Sequence, residues 1–341
     1  MSPWSSATAA SVTAGIATAV LLALTLSLPA GAAEGQDAET IGVRLADVPS
    51  AQADDPRARM YVVDHLAPGT QIVRRIEVSS TSDVPTEVDL YSAGATVEDG
   101  QFVVAADRSA DDLSSWTTVS PARLVLPALG SADATVTIAV PTDAPPGEHY
   151  AVAWAQVTAL PSTPGGIALV SRVGVRLYVS VGPGGAPAAD FAIEALTAGR
   201  SSDGRPFILA TVRNTGGRAL DLSGTLTLAD GPGGLTAGPF PTDQGVTLGI
   251  GETEPVTVSL DDRLPSGPWN AQITMSSGLV ERHASAEVSF PATGLAPTMP
   301  TDDGSPPWAA VIVAGAAVLA LAAGATRLRA ARRRTPSTVG R

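Results

Sequence analysis

The chain has 341 residues, no cysteine, 33 acidic against 21 basic side chains and a formal net charge of −12. Without thiols it has no disulfide staples, no thiol nucleophiles and no thiolate metal sites, so an exported form must hold by packing alone. The acid excess argues against nucleic-acid binding, and the absence of lysine excludes a lysine–asparagine isopeptide staple.

In chain order, residues 11–28 (SVTAGIATAVLLALTLSL) are apolar and uncharged, and Pro29 and Ala30-Gly31-Ala32 follow them. A small-x-small site after an apolar run predicts a signal peptide over residues 1–32, cleaved after Ala32. No basic side chain precedes the run, so an uncleaved N-terminal anchor is the alternative. From Ile41 to Phe290 the pattern alternates with period two. Val73–Val78, Ala134–Val140, Val173–Val179, Gly224–Leu228 and Val256–Leu260 are the clearest stretches, broken by Gly, Pro, Asp and Ser. Such alternation predicts half-buried strands, and regular turn punctuation predicts antiparallel sandwiches.

The stretch 182–189 (GPGGAPAA) carries no side chain able to build a core and reads as a flexible Gly/Pro linker. A weak internal repeat flanks it. Gly130 leads through a strand to Pro145-Pro146-Gly147 and Tyr150, and Gly251 leads through a strand to Pro265-Ser266-Gly267 and Trp269. The expected fold is all-β, with two tandem Ig-like antiparallel β-sandwiches, 33–181 and 190–291, followed by one C-terminal transmembrane helix. Residues 292–307 are Pro-rich and are expected to form a strand-free stalk. Residues 308–326 carry no charge over 19 positions, which as a helix span about 28 Å, close to a hydrocarbon core. Residues 327–341 form a basic tail that marks the cytoplasmic side. All 33 acidic residues precede Trp308 with only 15 basic ones, so the expected ectodomain carries −18. The layout predicts a single-pass type I protein of a bacterial plasma membrane, its ectodomain outside and its C-terminus cytoplasmic.

Little in the sequence offers chemistry. His65, His149 and His283 lie apart with no metal-ligand spacing, and no nucleophile elbow, P-loop or dinucleotide fingerprint occurs. Acidic pairs such as Asp54-Asp55 and Asp261-Asp262 lack the spacing of a calcium loop and read as solvated turns. The expectation is no enzyme, no cofactor and no metal. Trp154 and Tyr150 share a strand face by parity, either as a sugar-stacking platform or as core, and core is the expected role.

Residues 41–49 (IGVRLADVP), Asp54-Asp-Pro-Arg-Ala58, Tyr61-Val-Val-Asp64, Pro68-Gly69 and Leu113-Ser-Ser-Trp116 form a recognisable series. Over residues 41–160 the chain resembles the peptidoglycan-binding domain of the WxL-interacting protein family. The resemblance implies a non-enzymatic wall-associated module whose partners are peptidoglycan or wall-associated surface proteins. It nominates Asp55, Arg57, Tyr61 and Asp64 as ligand-binding positions, or as a turn-and-salt-bridge element that holds strand order. Residues 190–291 do not clearly match that family's second domain. Two alternatives stand beside this reading. One is a structural spacer or accessory subunit of a surface complex. The other is a sortase-processed adhesin, since Phe290-Pro-Ala-Thr-Gly294 resembles a sorting signal.

Overall fold

The computed structural model describes residues 41–159, 168–243 and 245–302. The expected signal peptide, transmembrane helix and basic tail lie outside these residues. No helix among them is long and apolar enough to cross a membrane.

The first sandwich is built from β1 (Ile41–Leu45), a short helix α1 (Pro56–Met60), β2 (Val62–Leu66), β3 (Gln71–Ser80), β4 (Thr86–Glu98) and β5 (Gln101–Val104). Helix α2 (Asp112–Trp116), β6 (Thr117–Ser120), β7 (Arg123–Leu126), β8 (Ser131–Ala139), β9 (Gly147–Ala159) and β10 (Leu169–Val181) complete it. One sheet has the order β1-β3-β8-β6. The other runs β2-β10-β9-β4-β5, with β7 also on β4. Alternation sets the inner faces. Ala151, Ala153 and Ala155 of β9 and Val175, Leu177 and Val179 of β10 meet Ile76, Val78, Val136 and Ile138 from the other sheet in one core. Each fully buried Ile or Leu there contributes about 1.5–3 kcal/mol. The strands pair antiparallel as expected, with one departure: β2 lies parallel to β10.

Strand register gives this sandwich a near and a far end. Leu66, Gln71, Ala139, Gly147 and Val181 share the end at which the chain leaves for the second sandwich. Ser80, Leu126, Ser131 and Ala159 share the other.

The second sandwich comprises β11 (Phe191–Arg200), β12 (Pro206–Asn214), β13 (Leu220–Asp221), β14 (Ser223–Gly231), β15 (Leu235–Pro241), β16 (Thr247–Leu248), β17 (Thr253–Ser259), β18 (Trp269–Ser277) and β19 (Val280–Val288). It also includes β20 (Gly294–Leu295) and β21 (Met299–Pro300). Sheets β17-β12-β11 and β15-β14-β18-β19 enclose a core centred on Trp269, Phe191, Leu226 and Ile208. The Trp269 ring lies over Gly231, where any Cβ would run into it. Its indole N–H donates to the Pro265 carbonyl at 2.9 Å. The all-β class and the two Ig-like sandwiches are as the sequence predicts.

Two expectations change. The Gly/Pro linker is tied down rather than free: Gly182 donates to the Leu66 carbonyl at 3.1 Å and Gly217 to the Ala188 carbonyl at 2.8 Å. The expected strand-free stalk begins as structure. Gly294–Leu295 pair with Gly199–Arg200, and Met299–Pro300 with Ala195–Leu196. Asp302 bridges Ser285 of β19. The segment therefore turns back along β11 toward the first sandwich and covers that strand's free edge, which would otherwise be open to pairing. Pro composition suggested an extended stalk, but an unpaired strand edge supplies backbone partners that composition cannot show. The sorting-like motif is held in the same place. Phe290 is buried in the core, and Pro291 accepts from Arg200 Nε at 3.0 Å.

Candidate functional site: the joint between the sandwiches

Helix α1 is set by its cap. Asp55 at the N-cap accepts from the Arg57 backbone N–H at 2.9 Å, and Pro56 occupies the first turn. This local geometry turns the Arg57 side chain inward, where the residue is only 5% exposed. Its Nε donates to Asp221 Oδ2 at 2.6 Å, and the guanidinium lies 4.2 Å from the centroid of the Tyr178 ring. Asp221 belongs to the second sandwich. Its Oδ1 accepts from the Tyr178 hydroxyl at 2.9 Å, from Arg176 Nη1 at 3.1 Å and from the Thr247 hydroxyl at 2.9 Å. One carboxylate thus joins side chains of β10, α1 and β16.

The surroundings are aromatic. Tyr61, Phe102 and Tyr150 each lie against Tyr178, with centroids at 5.7, 5.2 and 5.8 Å. These rings stand on the outer face of β2, β10, β9, β4 and β5. Ala219 of the second sandwich packs into the same cluster with Val63, Val152 and Trp154. Glu148 closes the joint at its rim. It accepts from the Tyr150 hydroxyl at 2.9 Å and from the Ala219 backbone N–H.

Charge and burial act against each other here. Burial pushes the Arg57 guanidinium down, but Asp221 and Tyr178 outweigh it and leave the pKa above the ordinary arginine value. Burial pushes the Glu148 carboxyl up, and the Ala219 N–H and Tyr150 hydroxyl only partly reverse this. A carboxyl with a raised folded pKa favours the native state at low pH. Its contribution is complete below the ordinary value of 4.5 and is lost as pH rises through the folded value. Glu148→Gln should therefore flatten the fall in stability above pH 4.5, as read by urea unfolding across pH 4.5–8. An unchanged pH profile would place the dependence elsewhere.

The four nominated positions are thus distributed unevenly. Arg57 and Tyr61 lie in the joint. Arg57 is spent on Asp221, while Tyr61 is half-buried with Arg176 5.3 Å from its ring centroid. Asp55 caps α1 beside the turn at Gly278. Asp64 alternates to the other face of β2 and pairs with Arg74 at 2.6 Å, where burial pushes its carboxyl up against that arginine. Trp154, 9% exposed and crossed by Arg172 at 4.7 Å, packs as core rather than as an open platform. Asp221, Arg176 and Tyr178 carried no sequence signal of their own, and Glu148, beside the turn Pro145-Pro146-Gly147 where a solvated side chain is expected, is instead drawn into the joint. The one hint was a lone acidic residue in the apolar run Ala219-Leu-Asp-Leu222.

No protein-family model and no curated protein matches the chain. Among solved structures it is similar to the YadV chaperone, at 13% identity over 75% of this chain and 98% of that one, with a TM-score of 0.36. It is also similar to the Salmonella enterica SafA pilin–SafB chaperone complex (12%, 72% and 95%, TM-score 0.38). A third is the Pseudomonas aeruginosa CupB2 chaperone (12%, 67% and 99%, TM-score 0.35).

Proposed function

We propose that the protein is a non-enzymatic, membrane-anchored binding module of the bacterial surface whose ligand is peptidoglycan or a wall-associated surface protein. The observation that carries this reading is the locked joint. An ion pair with one partner in each sandwich, covered by aromatic rings, braces the two sandwiches stiffly against each other. A stiff body suits a protein that must hold a binding surface at a set distance from its anchor. The family-like series over 41–160 and the expected helix at 308–326 supply the wall-facing orientation.

The same joint favours a second reading, the structural spacer, because Arg57, one of the four nominated residues, is used internally. Sedimentation separates the two. Full-length protein extracted in detergent should pellet with purified sacculi and return to the supernatant when the sacculi are digested. Protein that stays in the supernatant throughout leaves the spacer reading in front.

A further inference from the structure

Beside the joint lies an open cleft of about 520 Å³ between the β4–β5 hairpin of the first sandwich and β17 of the second. Asp99, Gln101, Phe102, Arg176 and Glu254 line it. Its size falls within the usual range of about 300–1,000 Å³ for small-ligand sites, which often lie between domains.

The walls are fixed in place. Asp99 and Gly100 take the left-handed conformation that the tight hairpin requires, with φ of 50° and 71°. The Gly100 carbonyl accepts from the Thr247 N–H of the second sandwich at 2.8 Å. Arg176 is held by one edge only. Nη1 takes Asp221, Tyr178 and Thr247, and its guanidinium lies 4.7 Å from the Phe102 ring centroid. Its Nε and Nη2 make no hydrogen bond among the described residues. The carboxylates of Asp99 and Glu254, which line the same cleft, make neither a hydrogen bond nor an ion pair among those residues. Arg176 forms its ion pair with Asp221 and not with them.

The cleft thus offers a half-used cation, two unused anions, one from each sandwich, and an aromatic wall at Phe102. Charges of both signs that line one cavity without neutralising each other are suited to a ligand carrying both signs itself. We propose that this cleft binds a short zwitterionic peptide, with its carboxylate on Arg176 and an ammonium group between Asp99 and Glu254. Under the wall-binding reading, on which this rests, the recognised part of peptidoglycan is its stem peptide rather than its sugar chain. A neutral sugar would leave all three charges unanswered, and a simple anion would meet two carboxylates.

The test is calorimetric titration of full-length protein in detergent with a synthetic alanyl-γ-glutamyl-lysyl-alanyl-alanine peptide, and with the same peptide acetylated at both amines. The free peptide should bind at least tenfold more tightly than the acetylated one. The double variant Asp99→Asn/Glu254→Gln should lose that preference while keeping the parent melting temperature, because neither carboxylate has a structural partner. Equal binding of the two peptides, no binding of either, or an unaltered preference in the double variant would overturn the proposal. Sedimentation with sacculi is scored separately. Peptide binding without sedimentation supports the cleft and removes the wall reading, whereas sedimentation without peptide binding removes the cleft and keeps the wall.

Discussion

Replacing Asp221 by Ala should destabilise the protein by about 3–5 kcal/mol, the usual cost of stranding one partner of a buried ion pair. Arg57, with its side chain 6% exposed, would keep its charge and lose its acceptor. Tyr178, Arg176 and Thr247 would lose theirs at the same step. Guanidinium unfolding should show the midpoint falling and the single transition dividing, as the sandwiches cease to report on each other. Asp47→Ala is the control, since its partner Arg75 is half exposed and screened by solvent. Equal effects from the two substitutions would mean that the joint is not what couples the sandwiches.

Separation of the sandwiches should have an effect as large. A chain of residues 41–181 alone would expose the outer face formed by Phe102, Tyr150 and Tyr178, and would leave Arg57 without Asp221. It should unfold at lower denaturant than the parent and self-associate through that aromatic face. Addition of residues 190–302 at equal concentration should suppress the association and restore stability. If both pieces melt at the parent temperature, the two cores are independent and the joint is only a contact.

The architecture was legible because it depends on local alternation. The pattern Val173–Val179 fixes which side chains of β10 enter the core, and the structure places Val175, Leu177 and Val179 there. The joint was much less legible. Arg57 and Asp221 are 164 positions apart, and nothing local distinguishes a buried arginine from a solvated one. The series around Arg57 is distinctive in the sequence, but the partner of Arg57 lies in the other domain. Composition also misled at residues 294–302. Proline-rich sequence favours extended backbone, and extended backbone is also what an unpaired strand edge accepts. Whether such a segment hangs free or pairs depends on the neighbour it finds.

On the proposed membrane-anchored reading, the return of residues 294–302 along β11 changes what the protein can search. Had all of 292–307 been a free tether, the fully extended reach would have been about 50 Å. Only residues 303–307 remain between the bridge at Asp302 and the expected bilayer segment, which at full extension is about 17 Å. Accessible volume grows with the cube of reach, so the shorter leash cuts the sampled space roughly 25-fold. A ligand fixed in the wall would meet this protein at high local concentration if it lies at the right height, and scarcely at all otherwise. On that reading the pairing at β20 and β21 would set a distance of action as well as closing a sheet. Lengthening the chain between Asp302 and Trp308 would widen the range of heights at which a ligand can be met and dilute the protein at each of them.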